Sequence, residues 1–308
     1  MRICIYNYME KIKKMIVVKL GGGLGNQMFQ YAAAKALSLR NNTVLKLDIS
    51  HFEKIISNET LRNYRLDVFP NIKETIAEKQ EINKLVPRFD FDFLNKIYKN
   101  INIKIFNFNK AYKAERNFSY SEITLGKNKT AYLEGYWQSE KYFDTACNLI
   151  KECFSLDYLN DHAPLQEFIK MIQSGTSVSI HVRRGDYVTN PSTNHYHGVL
   201  EMNYYERAIA KMVASSYPDI VFYIFSDDIE WCKKNLKISC KHVYISTGKD
   251  YHDLYLMSNC RHNIIANSSF SWWAAWLNKN IDKIIIAPKK WFSNQPSKDI
   301  VPVNWITQ

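Results

Sequence analysis

Three short polar clusters, each directly behind an apolar run, hold the residues of this chain best suited to chemistry. Val178–Val182 stops on Arg183-Arg184-Gly185-Asp186, Ile220–Phe225 on Ser226-Asp227-Asp228, and Asn263–Ala266 on Asn267-Ser268-Ser269-Phe270. Arginine presents a planar fork of N–H donors that matches phosphate oxygens, so two in succession suit a diphosphate. The alternative for Arg183 and Arg184 is a surface salt bridge to Asp186 after a core strand. Ser268 and Ser269 open a helix whose free amides and positive dipole end favour an anion. They serve equally well as ordinary N-caps. Asp227 and Asp228 invite a Mg²⁺ reading, but they lack D-x-D spacing. They are expected to contact a nucleotide or cap a helix. His181, inside an apolar run, is a core histidine or orients Arg183 or Asp186.

The elements that must position these clusters alternate. Strands are expected at Val178–Val182, Ile220–Phe225, His242–Ile245, Asn263–Ala266 and Lys283–Ala287. Helices are expected between them at Tyr204–Ser215, Ile229–Leu236, Tyr251–Ser258 and Phe270–Leu277. Strand and helix by turns mean a parallel, doubly wound sheet, so all three clusters fall on one edge, where open α/β sheets bind ligands. Trp272, Trp273 and Trp276 cover most of their helix and belong to a core rather than a stacking platform.

Earlier in the chain, strand Met15–Leu20, the loop Gly21-Gly22-Gly23-Leu24-Gly25-Asn26-Gln27 and helix Met28–Leu39 form a second βα unit. The spacing is not a dinucleotide fingerprint, because Asn26 stands where its last glycine belongs. Gly23 and Gly25 let backbone approach a ligand, and Asn26 is placed to cap the helix and offer an amide. A strand at Val44–Leu47 ends at Asp48, and Thr130–Trp137 is another, followed by a helix opening at Gln138. Between them, residues 73–118 mix helical patterning with Phe89, Phe91, Phe93, Phe106 and Phe108, as in an insertion closing a small core of its own. The domains expected are a short extension at 1–14, one domain at 15–160 and another at 161–308.

At 308 residues and 46% hydrophobic, with 10 Gly and 8 Pro, the chain can build two packed domains and has little room for linkers. Its net charge of +11 is concentrated in residues 1–150, with 24 Lys/Arg against 15 Asp/Glu, the remainder holding 17 against 15. Such a surface suits nucleic acid, anionic lipid or an anionic substrate. The absence of RNP, zinc-finger or basic-heptad patterns argues against nucleic acid. Six cysteines without C-x-x-C pairing indicate neither zinc nor a redox dithiol. No window is long and apolar enough for a span or a signal, so the expectation is a cytosolic chain that leaves room for contact with an anionic membrane. Walker, G-x-S-x-G and H-E-x-x-H motifs are missing, which removes ATP-driven and hydrolytic readings.

Ile16–Tyr31, Gly135–Ser139, His181–Asp186, Ser226–Asp228 and Asn267–Trp273 together resemble the bacterial α-1,2-fucosyltransferases of glycosyltransferase family 11. The resemblance implies a GT-B fold, with two Rossmann-like domains facing a cleft, acceptor on the first and GDP-fucose mainly on the second. It implies inverting transfer of fucose to the 2-hydroxyl of a terminal galactose, without a divalent metal or other cofactor. Arg184 and then Arg183 would hold the diphosphate, with His181 and Asp186 as helpers. The donor surface would comprise Gly23, Gly25, Asn26, Gln27, His181, Arg183, Arg184, Ser226, Asp227, Asp228, Asn267, Ser268, Ser269 and Phe270. Trp137 and Gln138 would meet the acceptor, a galactose-terminated oligosaccharide or lipid-linked glycan. Other fucosyl linkages, α-1,6 among them, and a non-catalytic nucleotide-sugar or glycan-binding protein are the alternatives. Residues 1–14 lie outside the family pattern on this reading.

Overall fold

The computed structural model describes residues 14–53, 62–86, 111–127, 129–215 and 217–308. The five phenylalanines of the expected insertion lie outside them. The chain divides into two compact units. One comprises the residues up to Gly22 with Asn26–Arg65 and Ile72–Ile150; the other comprises Gly23–Gly25, Leu66–Asn71 and Lys151–Gln308.

In the first unit, β1 (Met15–Lys19), β2 (Val44–Asp48), β3 (Thr75–Ile76), β4 (Tyr112–Ala114) and β5 (Ala131–Glu134) form a parallel sheet in the order β3-β2-β1-β5-β4. β1 is central and four of its five residues are buried, the pattern of a strand covered on both faces. Helix α1 (Leu24–Asn41) follows β1, and α2 (Lys79–Leu85) packs Ile82 and Leu85 against Met15, Val17 and Tyr132. After β5 the chain makes a 3₁₀ turn at Glu140–Tyr142 where a helix was expected, with Ser139 Oγ accepting from Lys141 N–H. It then forms α3 (Cys147–Cys153).

The second unit begins with α4 (Gln166–Gln173) and β6 (Thr176–Val182), in which every residue is buried. Two short helices the sequence did not announce follow, α5 (Gly185–Thr189) and α6 (Pro191–His197). Alternation then resumes as expected: α7 (Met202–Ala214), β7 (Ile220–Ser226), α8 (Ile229–Asn235), β8 (His242–Ile245), α9 (Asp250–Asn259), β9 (His262–Ile264), α10 (Ser269–Leu277) and β10 (Ile285–Ala287), after which comes an unexpected short strand, β11 (Ile306–Thr307). The sheet is parallel throughout, in the order β11-β10-β9-β6-β7-β8. α7 buries Tyr204, Tyr205, Ala208, Ile209 and Met212, one helical stripe, against Val178, Ile180, Phe222 and Ile224 of the sheet.

β6 also carries polar residues inward. Ser179 Oγ accepts from Asn263 Nδ2 at 2.8 Å and Ser177 Oγ from Arg261 N–H at 3.0 Å. These bonds satisfy groups that would otherwise be costly to bury. Trp272, Trp273 and Trp276 are core residues. Trp272 Nε1–H donates to Ile300 O at 2.8 Å and Trp273 Nε1–H to Gly25 O at 3.0 Å.

Candidate active site

The order of the second sheet fixes where a ligand belongs. From β6 the chain moves outward through β7 and β8, then crosses back to β9 on the other side of β6. The switch therefore lies between β6 and β9, and a crevice at such a switch, beyond the carboxyl ends of the strands, is the general binding place of open α/β sheets. Arg183 and Arg184 follow β6, and Asn267–Phe270 follow β9. β6 pairs with β7 so that Val182 stands opposite Ser226, which makes Arg183 and Asp227 the next neighbours.

Both arginines are fixed by carboxylates. Arg183 Nη2 donates to Asp186 Oδ1, and Nη1 pairs with Asp227 Oδ2 at 2.7 Å. Its guanidinium also lies 5.5 Å from the centre of the Tyr187 ring. Burial opposes the charge on Arg183, but Asp227 and Asp186 outweigh it and hold the group protonated above its ordinary value. Arg184 donates its backbone N–H to Asp227 Oδ1 at 2.8 Å and Nε–H to Asp228 Oδ2 at 3.3 Å, with its guanidinium 3.7 Å over Trp231. Asp228 caps α8 by accepting from Trp231 N–H at 3.1 Å, while its own N–H donates to Ser226 Oγ at 2.9 Å. Gly185 leaves room for this brace, because a Cβ would sit 2.4 Å from Asp227 Oδ2 and force the carboxylate to shift.

The side facing β9 is aromatic. Tyr187 donates its hydroxyl to Asn267 O at 3.1 Å and stacks on His197 with ring centres 4.7 Å apart. The His181 ring lies 5.6 Å from that of Phe270, and its Nδ1 has no partner among the described residues. Burial lowers the His181 pKa to about 4, Asp227 pulling it up and Arg183 down. Burial likewise lowers His197 to about 4, against Asp186. Both imidazoles are therefore neutral at neutral pH. Beyond β8, Asp253 accepts from Thr247 Oγ1 at 2.7 Å, and burial raises its carboxyl to about 6.

Several expected site residues also hold the fold together. Asn267 Nδ2 is turned to His197 O (2.9 Å), Gly198 O and Trp291 O, leaving Oδ1 without a partner among the described residues. Ser268 occupies the N-cap position of α10 without a side-chain capping bond, its carbonyl accepting from Trp272 N–H at 3.0 Å. Ser269 and Phe270 form the first turn of that helix. Gly25 packs against that turn, since a Cβ would lie 2.5 Å from Phe270 N. Nothing lies within 4 Å of a Cβ on Gly23, the open glycine of the loop.

Asn26 is not a cap. α1 starts at Leu24, ahead of the expected Met28, which places Asn26 within its first turn, and Asn26 Oδ1 accepts from Gln138 Nε2 at 2.9 Å. Gln27 is fully buried: Nε2 donates to Gly22 O and Asn63 O, and Oε1 accepts from Arg65 N–H, all at 2.9 Å. The Gln27 amide holds the loop, and the Asn26 side-chain oxygen holds Gln138. Trp137 lines a 310 Å³ cavity in the first unit together with Glu115, Arg116 and Asn117. Tyr187, His197, Trp231 and Asp253 escaped the sequence reading. Only Trp231 had a usable signal, sitting three residues beyond the capping Asp228.

Among the described residues no group of three or more His, Cys, Asp or Glu is arranged to hold a metal ion, and no helix is long and apolar enough to cross a membrane.

Two parallel sheets, each in its own unit with helical crossovers, define a GT-B-type α/β protein. The fold matches that of the α-1,6-fucosyltransferase NodZ soaked with GDP-fucose (TM-score 0.51, 15% identity, 86% of this chain and 92% of that one). In sequence, the chain is 37% identical to an alpha-1,2-colitosyltransferase of Escherichia coli over 95% of its length and 98% of the relative's. It is 36% identical to the O-antigen biosynthesis glycosyltransferase WbnK of Escherichia coli over 93% of its length and 98% of the relative's. The chain belongs to glycosyl transferase family 11, whose model matches residues 2–308. That match takes in nearly all of residues 1–14, which were expected to fall outside the family pattern.

Proposed function

We propose that this glycosyltransferase moves L-fucose, with inversion, from GDP-β-L-fucose to the 2-hydroxyl of a terminal galactoside in a cell-surface glycan, without a divalent metal. The observation that carries this reading is the carboxylate-braced arginine pair beside the β6/β9 switch. As the bond from the fucosyl C1 to the β-phosphate oxygen stretches, negative charge grows on the phosphate. Donors already held in place stabilise that charge without reorganising. Arg183 gives one N–H to each of Asp186 and Asp227 and keeps the rest of its fork for phosphate.

Of the two arginines, Arg183 lies on the side of Tyr187 and Asn267, whereas Arg184 lies over Trp231 beside β7. Arg183 is therefore the principal phosphate ligand, and Arg184, preferred from sequence, the supporting one. Asp186, bound to Arg183, braces it rather than taking the acceptor proton. The metal-free reading draws support from Asp227 and Asp228, whose oxygens are committed to arginine and amide donors. A lipid-linked acceptor suits the basic first half of the chain, and partitioning that is equal on neutral and anionic vesicles would count against it.

The test incubates the protein with GDP-fucose and galactosides, assigns the linkage by NMR, and repeats the assay with EDTA. An α-1,2 fucoside formed equally well with EDTA is expected. Arg183→Ala should abolish transfer almost completely, and Arg184→Ala should reduce it by about a hundredfold. Absence of any fucosylated product overturns the reading. The alternative donor is a nucleotide-activated colitose, the 3-deoxy counterpart of fucose, favoured by the 37% identity to a colitosyltransferase. Running both donors side by side decides between them.

A further inference from the structure

The segment between β6 and α7 folds as α5 and α6, and both helices are tied to the loops that leave β9 and β10. Asn194 Nδ2 donates to Tyr187 O at 2.6 Å, which clips α6 to α5. Asn267, just after β9, closes a ring with them. Its carbonyl accepts from the Tyr187 hydroxyl at 3.1 Å, and its Nδ2 donates to His197 O at 2.9 Å. After β10, Ser293 N–H donates to Tyr196 O at 3.0 Å, and the Phe292 ring lies 5.0 Å from that of Tyr196 and 5.4 Å from that of His197. The segment ends at Gly198, whose φ of 69° is left-handed and suits glycine, and a Cβ there would stand 2.5 Å from Ser293 Oγ.

Tyr187 is where these ties reach the arginines. Its buried ring is stacked on the His197 imidazole, with centres 4.7 Å apart and planes within 11°, and the Arg183 guanidinium lies 5.5 Å from its centre. The imidazole serves here as a flat surface. Its Nδ1 has no partner among the described residues, and burial keeps it uncharged at neutral pH, so it adds no second cation beside Arg183. An arginine side chain has many rotamers, and one held in place before the ligand arrives spares binding that entropy cost.

We infer that Tyr187 and His197 are positioning residues: through these two stacked rings, the loops after β9 and β10 set the Arg183 guanidinium where it meets the β-phosphate of the donor. Asp186 and Asp227 fix two of its nitrogens, and the Tyr187 ring beside it keeps the guanidinium plane from swinging toward β9. Neither ring needs to touch the donor, since both act through Arg183. This rests on the reading of Arg183 as the principal phosphate ligand.

The test compares GDP with GMP, which lacks the β-phosphate, by calorimetry on the full chain. Wild-type protein is expected to bind GDP more tightly than GMP, and Arg183→Ala to lose most of that difference. Tyr187→Leu and His197→Ala are each expected to weaken GDP by about tenfold, the size of one cation–π contact, while leaving GMP within about twofold. His197→Phe keeps the flat ring and should bind GDP within about twofold of wild type. On an Arg183→Ala background, Tyr187→Leu and His197→Ala should cost no further GDP affinity. His197 is half-buried, so its two variants keep the test valid even if Tyr187→Leu folds poorly. Equal losses for GDP and GMP, unchanged GDP affinity in His197→Ala, a loss in His197→Phe as large as in His197→Ala, or costs that persist without Arg183 would each overturn the proposal. If instead wild-type protein binds GDP no more tightly than GMP, the functional reading falls and the positioning role falls with it.

Discussion

Gly185→Ala tests whether Asp227 organises the arginines. Gly185 does not have left-handed backbone, so alanine is locally permitted at this first position of α5. The added Cβ would stand 2.4 Å from Asp227 Oδ2 and 3.1 Å from its Cγ. The carboxylate must rotate away and release Arg183 Nη1 and the Arg184 N–H, held at 2.7 and 2.8 Å. A hydrogen bond to a charged group contributes about 1.5–3 kcal/mol. Both side chains are about three-quarters buried, at 22% and 26% exposed, so screening is partial. A net loss of about 1–3 kcal/mol is expected, which lowers the unfolding midpoint by only a few degrees. Transfer should suffer more, because both arginines lose a common anchor. A fall of about a hundredfold in kcat/KM corresponds to about 2.7 kcal/mol of transition-state stabilisation. The assay is GDP release under initial-rate conditions, alongside GDP calorimetry. On an Asp227→Ala background the same glycine substitution meets no carboxylate and should cost nothing further. Wild-type kcat/KM for Gly185→Ala, or equal costs on the two backgrounds, would refute the reasoning.

Gly25→Ala presses a methyl to 2.5 Å from Phe270 N and Ser269 C, which are backbone and cannot turn aside; a stability loss of about 1–3 kcal/mol or more is expected in urea titration. Gly23→Ala meets nothing within 4 Å, so stability should hold within about 0.5 kcal/mol while donor KM rises; an unchanged donor KM would remove Gly23 from the donor surface. His181 and His197, lowered to about 4, are neutral in the fold, whereas the unfolded chain protonates near 6.5. Their contribution is complete above pH 6.5 and is lost as pH falls toward 4, by up to about 3 kcal/mol for each; a urea midpoint that stays flat from pH 7 to 4.5 would contradict their burial.

The second sheet was legible because each of its strands is an apolar run ended by polar residues, and β6 to β9 fall within a few residues of their expected limits. α1 was placed a turn late, since Gly25 and Asn26 are poor helix formers. What overrides propensity is packing: Gly25 fits against the first turn of α10, and Gln27 holds Gly22, Asn63 and Arg65. α5 and α6 were missed because residues 185–197 carry polar side chains without helical apolar spacing. The roles of the charged residues needed register as well as motif. Asp227 and Asp228 were visible as carboxylates, but a single strand cannot show what they face. Once Val182 stands opposite Ser226, Arg183 meets Asp227, which braces both arginines. The same geometry separates two arginines that look equivalent in sequence. Arg183 lies against Tyr187, whose hydroxyl reaches Asn267 after β9, while Arg184 lies over Trp231 after β7. Only the strand order β9-β6-β7 reveals which of those two sides is the crevice, and that order, with β9 brought back across β6 from a position later in the chain, cannot be read from the spacing of residues along it.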